Sequence, residues 1–228
     1  MSRERWTAVD AYTAGLLIGA DEALDEAVRA SADAGLPPIA VSPNQGKLLY
    51  LLARIHTASS ILELGTLGGY STIWLARALA PGGRLVTVEL EPAYAAVAAA
   101  NIERAGLSGV VEQRVGPALD ELRLLQSEGA GPFDMTFIDA DKKGTPEYFE
   151  ASLELSRPGS MILTDNVVRD GALIDPGTED PGVLGMRRFQ ELLGADRLGR
   201  ARVSATTIQT VGSKGYDGFT LALVGAQG

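Results

Sequence analysis

The chain has 228 residues, of which 20 are basic and 29 acidic, giving a net charge of −9, and it contains no cysteine. That balance repels a phosphate backbone and no local basic cluster offsets it, so nucleic acid is excluded as a partner. The missing thiols exclude disulfides, zinc-thiolate centres and cysteine nucleophiles, and fit a reducing compartment.

The length suits one soluble domain over residues 1–228. No apolar run is long enough to cross a bilayer, so no membrane partner is expected. The opening "MSRERWTAVDAYTAGLLIGADEAL" carries Arg3 and Arg5, but Asp10 interrupts its apolar stretch. It therefore lacks the core of a signal peptide, and the expected location is the cytoplasm.

Residues 1–58 read as helices added before a sheet. Among them, Ser42-Pro43-Asn44-Gln45 has the pattern of a capping box with proline at the first helical position. The one histidine, His56, lies between the helical pattern "QGKLLYLLARI" and the strand "SSILELG" and reads as a connector. From residue 59 onward, short apolar runs ("SSILELG", "GRLVTVEL", "VVEQRV", "FDMTFIDA", "SMILTDN") alternate with helical patterns long enough to return the chain for a parallel strand. Continuous apolar strands suit a sheet covered on both faces. After the loop "RDGALIDPGTEDPG" and the helix "VLGMRRFQELLG" come two last strands, "ARVSATTIQT" and "GFTLALV". Their link, "VGSKGYDG", is short and glycine-rich, which favours an antiparallel terminal pair. The expected fold is α/β: a doubly wound, mostly parallel, seven-stranded sheet with an antiparallel terminal strand and extra N-terminal helices.

In such a sheet ligands bind outside the carboxyl ends of the strands, so the residues that finish each strand carry the functional reading. The first strand ends "LELGTLGGYS", placing Glu63, Gly65, Gly68 and Gly69 in a turn that enters a helix near Ser71. Glycines let backbone approach a ligand, and a helix start offers unpaired N–H groups to an anion. The second strand ends at Glu89, where an acidic side chain can accept from both ribose hydroxyls. Glu91-Pro92 reads as the start of the next helix. The third strand runs into "VGPALDEL", whose small Gly116 and Ala118 leave room for a flat ring. The fourth ends at Asp139 and the fifth at Asp165 and Asn166. Two carboxylates and an amide oxygen, with no imidazole and no thiolate, favour Mg2+ or another hard divalent cation such as Ca2+ or Mn2+ over zinc or copper.

Taken in order, these segments resemble the cation-dependent O-methyltransferases, the catechol and caffeoyl-CoA family with its bacterial relatives, over nearly the whole chain. "VSPNQGKLL" is similar to the family's segment before the sheet, "ILELGTLGGYSTIWLA" to its first S-adenosylmethionine motif and "LVTVELEP" to its ribose motif. "FIDADK" resembles its metal and base motif, "LTDNVV" its second metal motif, and "QTVGSKGYDGFTLAL" the ending of bacterial members. The resemblance implies S-adenosylmethionine held by Val41, Glu63, Gly65, Gly69, Ser71, Glu89 and Ala118, with Asp139 close to its methionine end. It implies a metal held by Asp139, Asp165 and Asn166, a general base at Lys142, a small aromatic substrate and a homodimer.

The chain departs from the family at Thr145, where relatives carry tyrosine; Thr145-Pro146-Glu147 reads instead as a helix cap. Asp141 has no assigned role, and Lys143 reads as an exposed loop lysine. Trp6, Tyr12, Arg169 and Tyr216 are candidate substrate contacts. Two other readings use some of the same residues. A nicotinamide-dependent oxidoreductase would use the glycine turn and Glu89 equally well, but has no need of a three-oxygen rim. A non-catalytic adenosine-binding module would dispense with Lys142 or a metal ligand, and all of these are present.

Overall fold

The computed structural model describes residues 2–198 and 202–225. Helices α1 (Arg3–Leu17), α2 (Glu22–Asp33) and α3 (Pro43–Ile55) precede the first strand. The chain then alternates through β1 (Ser60–Leu64), α4 (Tyr70–Ala78), β2 (Arg84–Glu89), α5 (Pro92–Arg104), β3 (Val111–Val115), α6 (Ala118–Ser127), β4 (Phe133–Ile138), α7 (Thr145–Glu154) and β5 (Ser156–Asp165). A 3-10 turn at Ala172–Ile174, α8 (Pro181–Leu198), β6 (Val203–Gly212) and β7 (Gly215–Val224) complete it. The seven strands are ordered β3-β2-β1-β4-β5-β7-β6. β1 pairs in parallel with β2, β2 with β3 and β4 with β5, while β7 runs antiparallel to β5. This is the doubly wound sheet expected from the alternation of patterns. Among the described residues, no helix is long and apolar enough to cross a membrane.

Local signals set most boundaries. The Ser42 hydroxyl accepts from Gln45 N at 3.2 Å with Pro43 at the start of α3, and His56 is that helix's C-cap. Two boundaries differ from the sequence reading. β5 begins at Ser156 rather than Ser160, because an exposed stretch through Arg157–Gly159 extends the strand before its apolar core begins. The terminal strands also reach further inward than expected, leaving only Ser213 and Lys214 between them. Thr207 meets Thr220 at 2.7 Å within the expected strands, and Tyr216, read from sequence as part of the link, donates its hydroxyl to Gln209, so pairing continues past the expected ends. The first residue expected in that pair, Ala201, lies outside the described residues.

The chain forms two compact units, one of Met1–Pro117 with Gly212–Lys214, the other of Ala118–Val211 with Gly215–Gly228. In the first, Ile61, Leu62 and Leu64 of β1, Leu85 and Val86 of β2, Leu49 of α3, and Ile73 and Leu75 of α4 are all fully buried. Each such side chain contributes about 1.5–3 kcal/mol by leaving water. α1 has no buried residue and is held by polar contacts instead. Its Asp10 accepts from Ser213 N at 2.7 Å and from Asn44 Nδ2 at 3.3 Å.

In the second unit, Phe133, Met135 and Phe137 of β4 and Ile162 of β5 are fully buried. Phe149 of α7 and Phe189 of α8 meet edge to face at 5.1 Å. Arg202 ties the start of β6 to both helices: its Nε donates to Asp196 at 2.6 Å, and its two Nη atoms donate to Glu150 at 2.8 Å each. These two carboxylates raise the guanidinium pKa above its ordinary value, Glu150 more than Asp196. Asp196 is buried, so losing its partner strands a charge, whereas Glu150 is open to water and adds less. Arg202→Ala is expected to lower unfolding free energy by about 2 kcal/mol in urea denaturation. A change within the error of the measurement would show that the network adds nothing.

Candidate active site

In the first unit, β1 delivers the chain into a turn whose backbone enters the left-handed region at Gly65 (φ 95°), Leu67 (φ 51°) and Gly69 (φ 82°). Glycine is the residue that adopts such angles without steric cost. α4 starts directly at Tyr70, and its first ladder bond runs from Ile73 N to Gly69 O at 2.9 Å. The N–H groups of Tyr70, Ser71 and Thr72 therefore have no acceptor within the helix and give this end partial positive charge. Val41 is buried one residue before the Ser42 cap.

Glu89, at the end of β2, is buried rather than solvated. Its Oε2 accepts from Thr66 N at 3.2 Å and Leu67 N at 2.7 Å, and its Oε1 from Glu91 N at 3.0 Å. One carboxylate thus ties the glycine turn to the start of α5. An ionised carboxylate has about four acceptor sites, so Glu89 keeps capacity for a hydroxyl. Glu63 is fully buried, and its Oε2 accepts from Thr72 Oγ1 at 2.5 Å and Thr87 Oγ1 at 2.7 Å. Thr87 in turn meets Thr66 at 2.6 Å. Asn101 of α5, also fully buried, donates from Nδ2 to Gly68 O at 2.8 Å. The sequence reading placed Glu63 and Glu89 at this turn but missed Thr66 in the turn itself and Thr72, Thr87 and Asn101, whose only signal was polarity within an apolar strand or helix.

In the second unit, β4 and β5 run in register to Ile138 opposite Thr164, so the next residues, Asp139 and Asp165, leave neighbouring strands side by side. Neighbouring strands lie about 4.8 Å apart. Asp165 is buried, its Oδ1 accepting from Asn166 N at 2.8 Å, and Asn166 has φ 56°, an angle that asparagine tolerates better than most residues. Lys142 Nζ lies 2.5 Å from Asp139 Oδ1, with its side chain only 12% exposed. Two carboxylates and an amide oxygen fit a hard divalent cation in donor chemistry. Among the described residues, no group of three or more His, Asp or Glu side chains forms a metal-binding arrangement. Ala118 opens α6, half-buried.

Asp141 has a partner on each carboxylate oxygen. Oδ1 accepts from Gly144 N at 2.9 Å, and Oδ2 accepts from the Tyr148 hydroxyl. Burial, followed by the adjoining Asp141 carboxylate, pushes the Tyr148 phenol well above its ordinary pKa, so it stays protonated and donates. Thr145 is not the helix cap expected of it. Gly144 holds the N-cap position, Thr145 is buried inside the first turn, and the side chain serving the loop's N–H groups is Asp141. After Asn166, Asp217 Oδ1 accepts from Val168 N at 2.9 Å and Arg169 N at 3.0 Å. Of the four candidate substrate contacts, Tyr12 is exposed on α1 and Trp6 half-buried, while Tyr216 is engaged with Gln209. Arg169 stands in the loop anchored by Asp217.

Asn101→Ala leaves Gly68 O without its buried donor and is expected to cost about 1–3 kcal/mol of stability. Urea denaturation monitored by circular dichroism measures this, and no loss would remove Asn101 as a support of the turn.

A model of the O-methyltransferase family matches residues 17–223. A catechol O-methyltransferase of Niastella koreensis is 54% identical over 224 residues, covering 98% of this chain and 100% of its own length. The crystal structure of an O-methyltransferase from Bacillus cereus in complex with SAH superposes with a TM-score of 0.95 at 55% identity, covering 98% of this chain and 100% of that one. That of TomG from Streptomyces achromogenes, an O-methyltransferase involved in tomaymycin synthesis and solved in complex with SAM, gives 0.94 at 56% identity over 99% and 100%. With the match spanning β1 to β7 and the N-terminal helices from residue 17, the chain belongs to the O-methyltransferase family of enzymes.

Proposed function

We propose that this enzyme moves a methyl group from S-adenosylmethionine to one hydroxyl of a catechol-type small aromatic molecule, with a divalent cation, Mg2+ foremost, and acts in the cytoplasm. The observation that carries the reading is the pair of strand ends, Asp139 with Lys142 at 2.5 Å and Asp165 with Asn166. Support comes from the relatives: SAH and SAM are bound in the two similar structures, and the Niastella koreensis protein is a catechol O-methyltransferase.

S-Adenosylmethionine, when bound, supplies an activated methyl group on a sulfonium. Glu89 would accept from its ribose hydroxyls, and the N–H groups at the start of α4 with Ser71 would meet its carboxylate. Gly65 and Gly69 would let the backbone approach, Val41 and Glu63 would hold the methionine part, and Ala118 would border the adenine. Asp139, Asp165 and Asn166 would hold the cation, which supplies Lewis acidity to both oxygens of a vicinal diol. Transfer to oxygen requires an in-line approach and loss of the phenolic proton. Lys142 is the group that would accept that proton. Its side chain is only 12% exposed and stands 2.5 Å from Asp139, beside the oxygens that would hold the cation. The enzyme is proposed to work as a homodimer, since α1 leaves Val9, Tyr12, Leu16 and Leu17 exposed.

The test offers labelled S-adenosylmethionine with catechols, caffeoyl esters and monophenols, with and without chelator. Methylation confined to the diols and abolished by chelation is expected; transfer indifferent to chelation would sink the metal reading. Independently of turnover, Mn2+ binding followed by electron paramagnetic resonance is expected in the wild type and lost in Asp165→Ala. Lys142→Ala is expected to keep cofactor affinity by calorimetry and to lose about 100-fold or more in kcat. Sedimentation velocity at micromolar concentration is expected to give a dimer, and a monomer would remove the dimer from the proposal.

A further inference from the structure

We infer that Tyr148 is a positioning residue for Lys142, acting through Asp141 on the six-residue loop Asp139–Gly144. This rests on the methyl-transfer reading, in which Lys142 takes the proton. The loop has no regular structure of its own, so its geometry is imposed by what packs on it.

Two elements of the same unit do so. From α7, the buried Tyr148 reaches back seven residues and donates to Asp141 Oδ2, while Asp141 Oδ1 receives Gly144 N. The ring passes so close over the loop that a Cβ on Gly144 would stand 2.6 Å from Tyr148 Cζ. Only glycine at 144 lets the phenol reach its acceptor. From α8, Gly185 lies against the loop backbone: a Cβ there would collide with Lys142 O and stand 2.7 Å from Lys143 Cα. Arg188, one turn on, donates from Nη2 to Lys143 O at 2.9 Å.

Lys142 is therefore held from both sides. α8 backs its main chain, and the Tyr148 to Asp141 bond fixes the residue before it. The Asp141 side chain is not needed to reach substrate, since one of its oxygens is engaged by Gly144 N and the other by Tyr148. Tyr148 contributes more than bulk, because its hydroxyl stays protonated and has a carboxylate to donate to. The arrangement also answers for Thr145: aromatic contact with this loop comes from the next turn of α7.

A displaced general base loses rate steeply, since a shift near 1 Å in a reacting group costs up to about 100-fold. Tyr148→Phe removes one oxygen and keeps the ring. It is expected to lower kcat about tenfold while leaving the KM for both substrates, cofactor stoichiometry and Tm near wild type. Asp141→Ala is expected to lose at least as much, and Asp141→Asn, which keeps an acceptor, to recover part of it. Lys143→Ala, at an exposed side chain of the same loop, is the control and should match wild type. A Tyr148→Phe rate within twofold of wild type overturns the inference alone. So does a loss of rate matched by an equal loss of cofactor stoichiometry, which would mark Tyr148 as merely structural. A wild-type chain inactive on every diol overturns the methyl-transfer reading and this inference with it.

Discussion

A parallel strand buried on both faces leaves its polar side chains one place to reach a ligand, the end of the strand. β1, β2 and β4 are buried almost throughout, and the charged residues that matter stand at or just past their ends: Glu89 closes β2, Asp139 follows β4 and Asp165 closes β5. Burial forces the chemistry to those positions, because a charge inside the sheet would need a full set of partners to repay its desolvation. Two carboxylates inside the sheet show the requirement: Glu63 within β1 has two threonine hydroxyls aimed at one of its oxygens, and Asp134 within β4 pairs with Arg157.

The glycine turn depends on hydrogen bonds as much as on its backbone angles. A loop with several left-handed residues is not intrinsically rigid, and the angles at Leu67 carry a steric cost. Glu89 answers it by accepting two turn N–H groups, and Asn101 by donating to Gly68 O. A net hydrogen bond contributes about 1 kcal/mol, and one to a charged group somewhat more, so the three together are enough to hold one turn geometry. The same carboxylate that would bind ribose hydroxyls therefore also shapes the turn that receives the methionine part.

The loop carrying Lys142 uses a different device. It is short, polar and unsupported by ladder bonds, and it gains definition from α7 and α8 packing on it. Phe149 and Phe189 bind those two helices to each other, and Arg202 with Glu150 and Asp196 binds both to the start of β6. The apolar and ionic contacts thus join the helices, while a phenol and a glycine transmit their constraint to the loop. Rigidity at a general base matters because proton transfer and in-line attack both fail steeply with misplacement.

Much of this protein was legible in its amino-acid order. Alternating periodicities specified a doubly wound sheet, and strand ends are local features, so Glu89, Asp139, Asp165 and Asn166 stood out without coordinates, while Lys142 was marked by the family resemblance alone. Ser42 and Glu91 marked helix limits for reasons contained within a few residues. What was not legible depends on residues far apart in the chain. Asn101 meets Gly68, Thr87 meets Glu63, and Gly185 meets Lys142, each across a separation that no local rule spans. Even nearby, the direction of a side chain escaped: Thr145 had the residue type of a cap, yet Gly144 holds that position because Tyr148 needs the space above it and Asp141 supplies the acceptor. Residue type and period determine which groups reach the end of a strand, whereas the packing of helices around a loop decides where those groups point.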